Sequence, residues 1–233
     1  MITDTLLNTG TDLLNLFYPR LCTGCGTTLV RQEDHICTGC MYNLPKTGFH
    51  LDRHNPMEQL FWGRVRIEYA AAYYYFEKSG KCRRILHSIK YKGKKELARY
   101  IGMLYGNELL RAGPFSSAGI LLPVPLHSKR EKKRGFNQSE WFAAGLSESM
   151  NKHLAADVLV RVSGTNTQTN KSRIKRWENV ENCFAVKNPE KIENTHILLV
   201  DDVVTTGATL EACAIALLEA ACVKISILTI AYA

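Results

Sequence analysis

The chain has 233 residues, a hydrophobic fraction of 45% and a formal net charge of +8. Such a length gives one main domain with a small addition, the apolar content supports a packed core, and the charge favours anionic partners: phosphate esters, nucleic acid or acidic membrane surface. No apolar run reaches the length of a membrane span, and residues 1–17 contain Asp4 and Asp12 but no basic leader, so the sequence reads as that of a cytoplasmic protein.

Residues 1–17 read as a short amphipathic helix or arm. Cys22-Thr-Gly-Cys25 and Cys37-Thr-Gly-Cys40 follow, separated by eleven residues. Two such knuckles suit four thiolates around a tetrahedral structural Zn²⁺. A redox Cys-x-x-Cys is the competing reading, but that motif normally occurs singly and near a βαβ unit. Gly26 leaves room for the tight turn of a knuckle. His35 is a spare donor that a four-cysteine site does not need. Cys82, Cys183, Cys213 and Cys222 have no partner spacing and read as small apolar residues. The expected division is a zinc-ribbon module over 1–55, too small to build much core alone, and an α/β domain over 56–233. Residues 56–66 read as a connector, with Asn55-Pro56 as its turn signal.

Beyond it, strands and helices alternate. An aromatic-rich strand is predicted at 68–76, helices at 81–90 and 96–111, a strand at 120–124 and a helix at 138–151. Short strands are predicted at 157–162 and 183–186. The chain closes with strand 197–203, helix 209–221 and strand 223–231, a βαβ unit. The fold class is therefore α/β, a parallel sheet flanked by helices.

The stretch 196–209, His-Ile-Leu-Leu-Val-Asp-Asp-Val-Val-Thr-Thr-Gly-Ala-Thr, carries the strongest chemical signal. Its unbroken apolar run suits a strand buried on both faces, and open α/β sheets bind ligands at the carboxyl ends of such strands. Two acids directly after a buried run are costly unless paired or coordinated. On an extended chain Asp201 and Asp202 point apart and need two different partners, which sugar hydroxyls or a hydrated metal would supply. Thr205, Thr206, Gly207, Ala208 and Thr209 offer amides, hydroxyls and a helix start to a phosphate. A capped helix with solvated acids is the plainer alternative.

Two other segments are rich in donors. After the strand ending near Pro125, a turn presents Leu126, His127, Ser128, Lys129 and, further on, Arg134, a second anion site at a strand's carboxyl end. Lys132 and Lys133 read as a solvated basic run. Residues 163–179 form a long polar loop whose Gln168, Lys171, Arg173 and Arg176 suit a lid over anions; a surface excursion is the alternative.

The 200–209 stretch resembles the signature by which type I phosphoribosyltransferases hold 5-phosphoribosyl-1-diphosphate (PRPP). With the paired knuckles, Ile-Lys-Tyr-Lys-Gly at 89–93, Pro-Val-Pro-Leu at 123–126, Arg-Gly-Phe-Asn-Gln at 134–138 and Thr167-Gln168, nearly the whole chain resembles the ComF/GntX family of competence-associated phosphoribosyltransferase-like proteins. The resemblance implies a type I phosphoribosyltransferase-like sheet and Mg²⁺-dependent transfer of phosphoribosyl to an unknown acceptor with release of diphosphate. It makes 205–209 the 5-phosphate loop, 126–134 the pyrophosphate loop and 163–179 the catalytic loop. Asp201 and Asp202 then reach the ribose and, through PRPP or water, Mg²⁺; with Gln168, Lys171 and Arg176 they form the implied catalytic set. It also links the family to DNA uptake in natural transformation. The signature is similar to the synthase half of glutamine PRPP amidotransferase as well, but a chain opening Met1-Ile2 is not expected to carry that enzyme's N-terminal cysteine chemistry.

A different class of function competes. Residues 78–99 contain nine Lys or Arg against one acid, with Tyr91 interleaved among them and Tyr100 just beyond. Basic residues interleaved with aromatics track single-stranded DNA by phosphate contact and base stacking. The alternative is therefore a non-catalytic single-stranded-DNA-binding protein on the same fold. The sequence leaves the oligomeric state open, a homodimer included.

Overall fold

The computed structural model describes residues 18–111, 113–162 and 183–233. The expected N-terminal arm lies outside them. Within the cysteine module, the second knuckle opens the helix α1 (Thr38–Asn43), and Cys37 caps it by accepting from the Cys40 amide. A 3₁₀ turn, Phe49–Leu51, and a one-turn helix α2 (Pro56–Gln59) lead into the sheet.

In chain order the rest comprises β1 (Tyr69–Tyr75), α3 (Lys81–Tyr91), α4 (Lys95–Leu109), α5 (Gly113–Ser116), β2 (Ile120–Pro123), α6 (Ser128–Arg134), α7 (Gln138–Met150), β3 (His153–Leu154), β4 (Leu159–Arg161), β5 (Phe184–Val186), β6 (His196–Val204), α8 (Ala208–Ala220) and β7 (Lys224–Tyr232). Five strands form one parallel sheet in the order β1-β7-β6-β2-β3. Ile197, Leu198, Leu199 and Val200 are fully buried in β6, which pairs with β2 on one side and β7 on the other. A central strand covered on both faces must be apolar throughout, which is why it shows no alternation. In α3 the buried positions Cys82, Ile85, Leu86 and Ile89 follow helical spacing and leave the cations outside.

The predicted elements stand, and the structure adds the short helices α1 and α5, which were not predicted. The basic segment after Pro125 is a helix, α6, capped by His127, whose ring nitrogen accepts from the Lys129 amide. β3, two residues long, was not predicted at all. The connector is part of the core: Met57 and Phe61 are fully buried. Asn55 organises it, donating from Nδ2 to the Phe49, Asp52 and Ala70 carbonyls while Oδ1 accepts from the Met57 and Glu58 amides. Cys82 and Cys213 are buried as expected, whereas Cys222 is exposed.

Residues after the knuckles cover the sheet's β1 edge. Tyr75 donates its amide to the Pro45 carbonyl at 2.8 Å and Thr47 donates its amide to the Tyr73 carbonyl at 3.1 Å, so the edge is partly paired there. Cys22, Leu29, Ile36, Leu44 and Phe49 join one apolar cluster with the sheet residues.

Helices α4 and α7 pack backbone to backbone. A Cβ at Gly145 would come 1.9 Å from the Arg99 carbonyl oxygen, and one at Gly102 would come 2.2 Å from that of Phe142. Main chain cannot yield as a flexible side chain does, so Gly145→Ala must push the helices apart. Overpacking of this kind costs about 1–3 kcal/mol or more. The expected outcome is a lower urea midpoint with unchanged slope, and an unshifted midpoint would contradict the close crossing.

Candidate functional site

β6 runs on past its buried half, so the two acids remain within the strand, at its carboxyl end and between β2 and β7. They take different partners. Asp201 Oδ1 accepts from the Ser139 hydroxyl at 2.7 Å and from the Asp202 amide at 2.8 Å. Asp202 Oδ2 pairs with Lys90 Nζ at 2.8 Å. Ser139 belongs to α7 and Lys90 to the last turn of α3, so two helices converge on one strand end. Burial, and then the neighbouring Asp202 charge, raise the Asp201 carboxyl to about 7; the Ser139 and amide hydrogen bonds and Lys90 act the other way. Gln138, next to Ser139, is almost fully buried, and its Nε2 finds no partner among the described residues. Buried amides of this kind are usually completed by a water or a ligand.

Beyond Val204 the chain turns through Thr205 and Thr206, both exposed, to Gly207, which has φ +76° and precedes α8. The first amides of a helix have no carbonyl one turn earlier to bond, and the dipole adds positive character there. Asp201 and residues 203–210 line a hollow of about 50 Å³ at this point. Thr205, Thr206, Gly207, Ala208 and Thr209 are thus brought together around a space suited to a small anion, with Asp201 on its edge. Gly207 is required twice over: by its positive φ, and because a Cβ would lie 3.1 Å from the Phe61 ring.

The supposed connector supplies the loop's backing. Arg64 donates to the Thr206 carbonyl and the Leu60 carbonyl, each at 2.9 Å, and pairs with Glu211 in the first turn of α8. Glu211 in turn donates its amide to the Gly207 carbonyl. Sequence reasoning missed Arg64 and Phe61. Phe61 and Trp62 in a stretch read as linker were the available signal, since linkers seldom spend aromatics.

The second anion segment is placed less closely. His127 and Leu126 are half-buried at the start of α6, while Ser128 and Lys129 are exposed. Arg134 faces a separate cavity together with Arg130 and with Lys133, which the sequence reading had left as solvated. Gln168, Lys171 and Arg176, with the rest of 163–179, lie outside the described residues. The chain leaves and re-enters that stretch through the antiparallel pair β4–β5, closed by the Val162 amide on the Cys183 carbonyl at 2.9 Å.

The ligand atoms of Cys22, Cys25, Cys37 and Cys40 all lie within 4.8 Å of one another, Cys25 and Cys37 at 3.6 Å. Four sulfurs about 2.3 Å from a common tetrahedral centre are spaced in just this range. The Cys37 amide points at Cys22 Sγ at 3.2 Å. The Thr27 hydroxyl is the largest influence lowering Cys25, to about 6, whereas burial and the three other sulfurs push Cys40 up. A divalent cation reconciles such a set by holding all four as thiolates. The cluster can therefore bind zinc.

Residues 120–233 match the phosphoribosyl transferase domain family. The chain is 35% identical over 130 residues to the DNA utilization protein YhgH of Salmonella typhimurium, covering 54% of this chain and 56% of that one. It is 34% identical over 91 residues to competence protein F of Haemophilus influenzae, 39% of this chain and 40% of that one. It is 31% identical over 134 residues to competence protein ComFC of Bacillus subtilis, 58% of this chain and 52% of that one. The match thus spans about half the length of these curated relatives.

Because Arg64 holds the Thr206 carbonyl and the α8 start together, Arg64→Met is expected to loosen 205–209 without unfolding the sheet. Amide exchange at Thr206, Gly207 and Ala208 should quicken roughly tenfold, the scale of about one lost charge-assisted hydrogen bond. Unaltered exchange there would show that the loop needs no such brace.

Proposed function

The chain belongs to the ComF family of phosphoribosyltransferase-like proteins, and on that premise we propose that it binds PRPP with Mg²⁺ and transfers phosphoribosyl to an acceptor, releasing diphosphate. The observation that carries this reading is the acid pair and phosphate-sized hollow joined at one strand end, with Asp201 lining both. Amides of Ala208 and Thr209 and hydroxyls of 205–209 hold the 5-phosphate. Asp201, fixed by Ser139, and Asp202 receive the ribose hydroxyls. Carboxylates and hydroxyls are hard oxygen donors and fit a hydrated Mg²⁺, which when bound would offset the charge of the diphosphate. His127, Ser128 and Lys129, at the end of β2 and the start of α6, face the developing negative charge as it leaves, whereas Arg134, at the far end of α6, lies on the separate cavity. Lys90 neutralises Asp202 until the sugar arrives and must then let go. The four cysteines hold one structural zinc.

Calorimetry with Mg-PRPP tests the site. Asp201→Asn and Asp202→Asn are expected to weaken PRPP far more than inorganic phosphate, because the acids serve the ribose and metal end. Thr206→Val should weaken both. Each lost charge-assisted hydrogen bond costs on the order of 1.5–3 kcal/mol, roughly tenfold or more in affinity. PRPP affinity unmoved by the double Asn variant would remove the assignment.

For the cysteines, metal analysis of purified protein is expected to return one zinc per chain, lost in Cys22→Ser together with order in the N-terminal module. Finding no zinc in intact protein would refute it.

A second reading has its own support. Arg83, Arg84, Tyr91, Lys92, Lys94 and Lys95 are exposed along α3 and the turn after it, and Lys94 reaches the Thr23 hydroxyl of the cysteine module at 3.0 Å. With relatives named for competence and DNA utilization, this rim suits weak, sequence-independent binding of single-stranded DNA in DNA uptake. DNA affinity that falls with salt and ignores Mg-PRPP would favour it over catalysis.

A further inference from the structure

A cavity of about 560 Å³ opens between the end of α3 and α6, lined by Lys90, Tyr91, Gly93, Arg130, Lys133 and Arg134. Its size falls within the range of about 300–1,000 Å³ usual for small-molecule sites. Lys90 both lines it and pairs with Asp202 at 2.8 Å, so the cavity begins one side chain away from the acids assigned to the ribose.

Its chemistry narrows the occupant. Four of the six lining residues are cations, which calls for negative charge. The fifth, Tyr91, is 66% exposed, with the Arg134 guanidinium 5.7 Å from its ring centroid and the His87 ring at 4.8 Å. A diphosphate uses cations and has no use for an aromatic face; a planar ring uses both. Among the described residues, no carboxylate or imidazole lines the cavity.

We propose that this cavity is the acceptor site, and that the acceptor is a planar heteroaromatic carrying at least one negative charge, stacked on Tyr91. The inference rests on the PRPP reading of residues 201–209. In the transfer, a ring-nitrogen lone pair forms the new bond to the ribose C1 while the C1–O bond breaks and its electron pair leaves on the diphosphate. No base is needed when that nitrogen arrives without a proton. It is then either already anionic, or of pyridine type with its new positive charge offset by a ring carboxylate. When the ribose and metal occupy Asp202, the Lys90 ammonium is released towards the cavity and adds a cation beside the ring.

The test is calorimetry on the full chain with pyridine-2,3-dicarboxylate and orotate, and with neutral nicotinamide and uracil, each with and without Mg²⁺ and a non-cleavable PRPP analogue. An anionic ring is expected to bind at least tenfold more tightly than its neutral counterpart. Tyr91→Ala, at an exposed position, should weaken it about tenfold or more, the scale of one lost stacking contact. Failure of both anionic rings under every condition overturns the proposal, as does affinity indifferent to Tyr91→Ala or equal for neutral rings. Oligothymidylate binding through Tyr91 while the anionic rings do not bind overturns it in favour of nucleic acid. If the PRPP analogue fails while an anionic ring still binds through Tyr91, the ring site stands and the transfer reading falls. If the analogue binds and the rings do not, the reverse holds.

Discussion

Two adjacent carboxylates follow the buried apolar run 197–200 within one strand, and the architecture around them answers that single electrostatic demand. An acid so placed is tolerated only with a partner. Asp201 finds Ser139 and Asp202 finds Lys90, each from a different helix. Ser139 can reach because α7 is seated closely, and α7 is seated closely because Gly102 and Gly145 let its backbone touch that of α4. Helix packing and site geometry are therefore one constraint. A methyl group added at the crossing would be felt at the acid it helps to hold.

The phosphate loop depends on a second brace from the opposite direction in sequence. Asn55 knits the 3₁₀ turn, α2 and β1 together with five hydrogen bonds, which fixes where Phe61 and Arg64 emerge. Phe61 then fills the space a side chain at Gly207 would need, and Arg64 ties the loop to α8. The same stretch of chain continues back to the cysteine cluster. Lys94 reaches Thr23, and the His35 ring packs edge-on against Tyr100 at 5.5 Å, so the cluster is anchored to α4 and to the turn before it.

Much of this was legible in order along the chain. The apolar run 197–200 announced a doubly covered strand, the spacing of Cys22, Cys25, Cys37 and Cys40 announced a four-sulfur cluster, and residues 205–209 announced a loop running into a helix start. These are local properties. Period, spacing and backbone permission are set by neighbours a few residues apart, so a sequence states them directly. Even the need of Asp201 and Asp202 for separate partners follows from the alternation of an extended chain.

The identity of those partners does not. Ser139 lies 62 residues from Asp201, and Arg64 lies 142 residues from Thr206. Residues 56–66 looked like a linker because their role is to back a loop formed much later in the chain. Lys133 is exposed, as its charge run suggested, but the cavity it lines exists only once α3 and α6 face each other across the end of the sheet. The sequence by itself determined which groups carry the chemistry and the local backbone that presents them. Only the tertiary structure decided which helix neutralises which acid and which cations share a cavity, because pairing across a parallel sheet depends on crossover connections that bring distant segments to one edge.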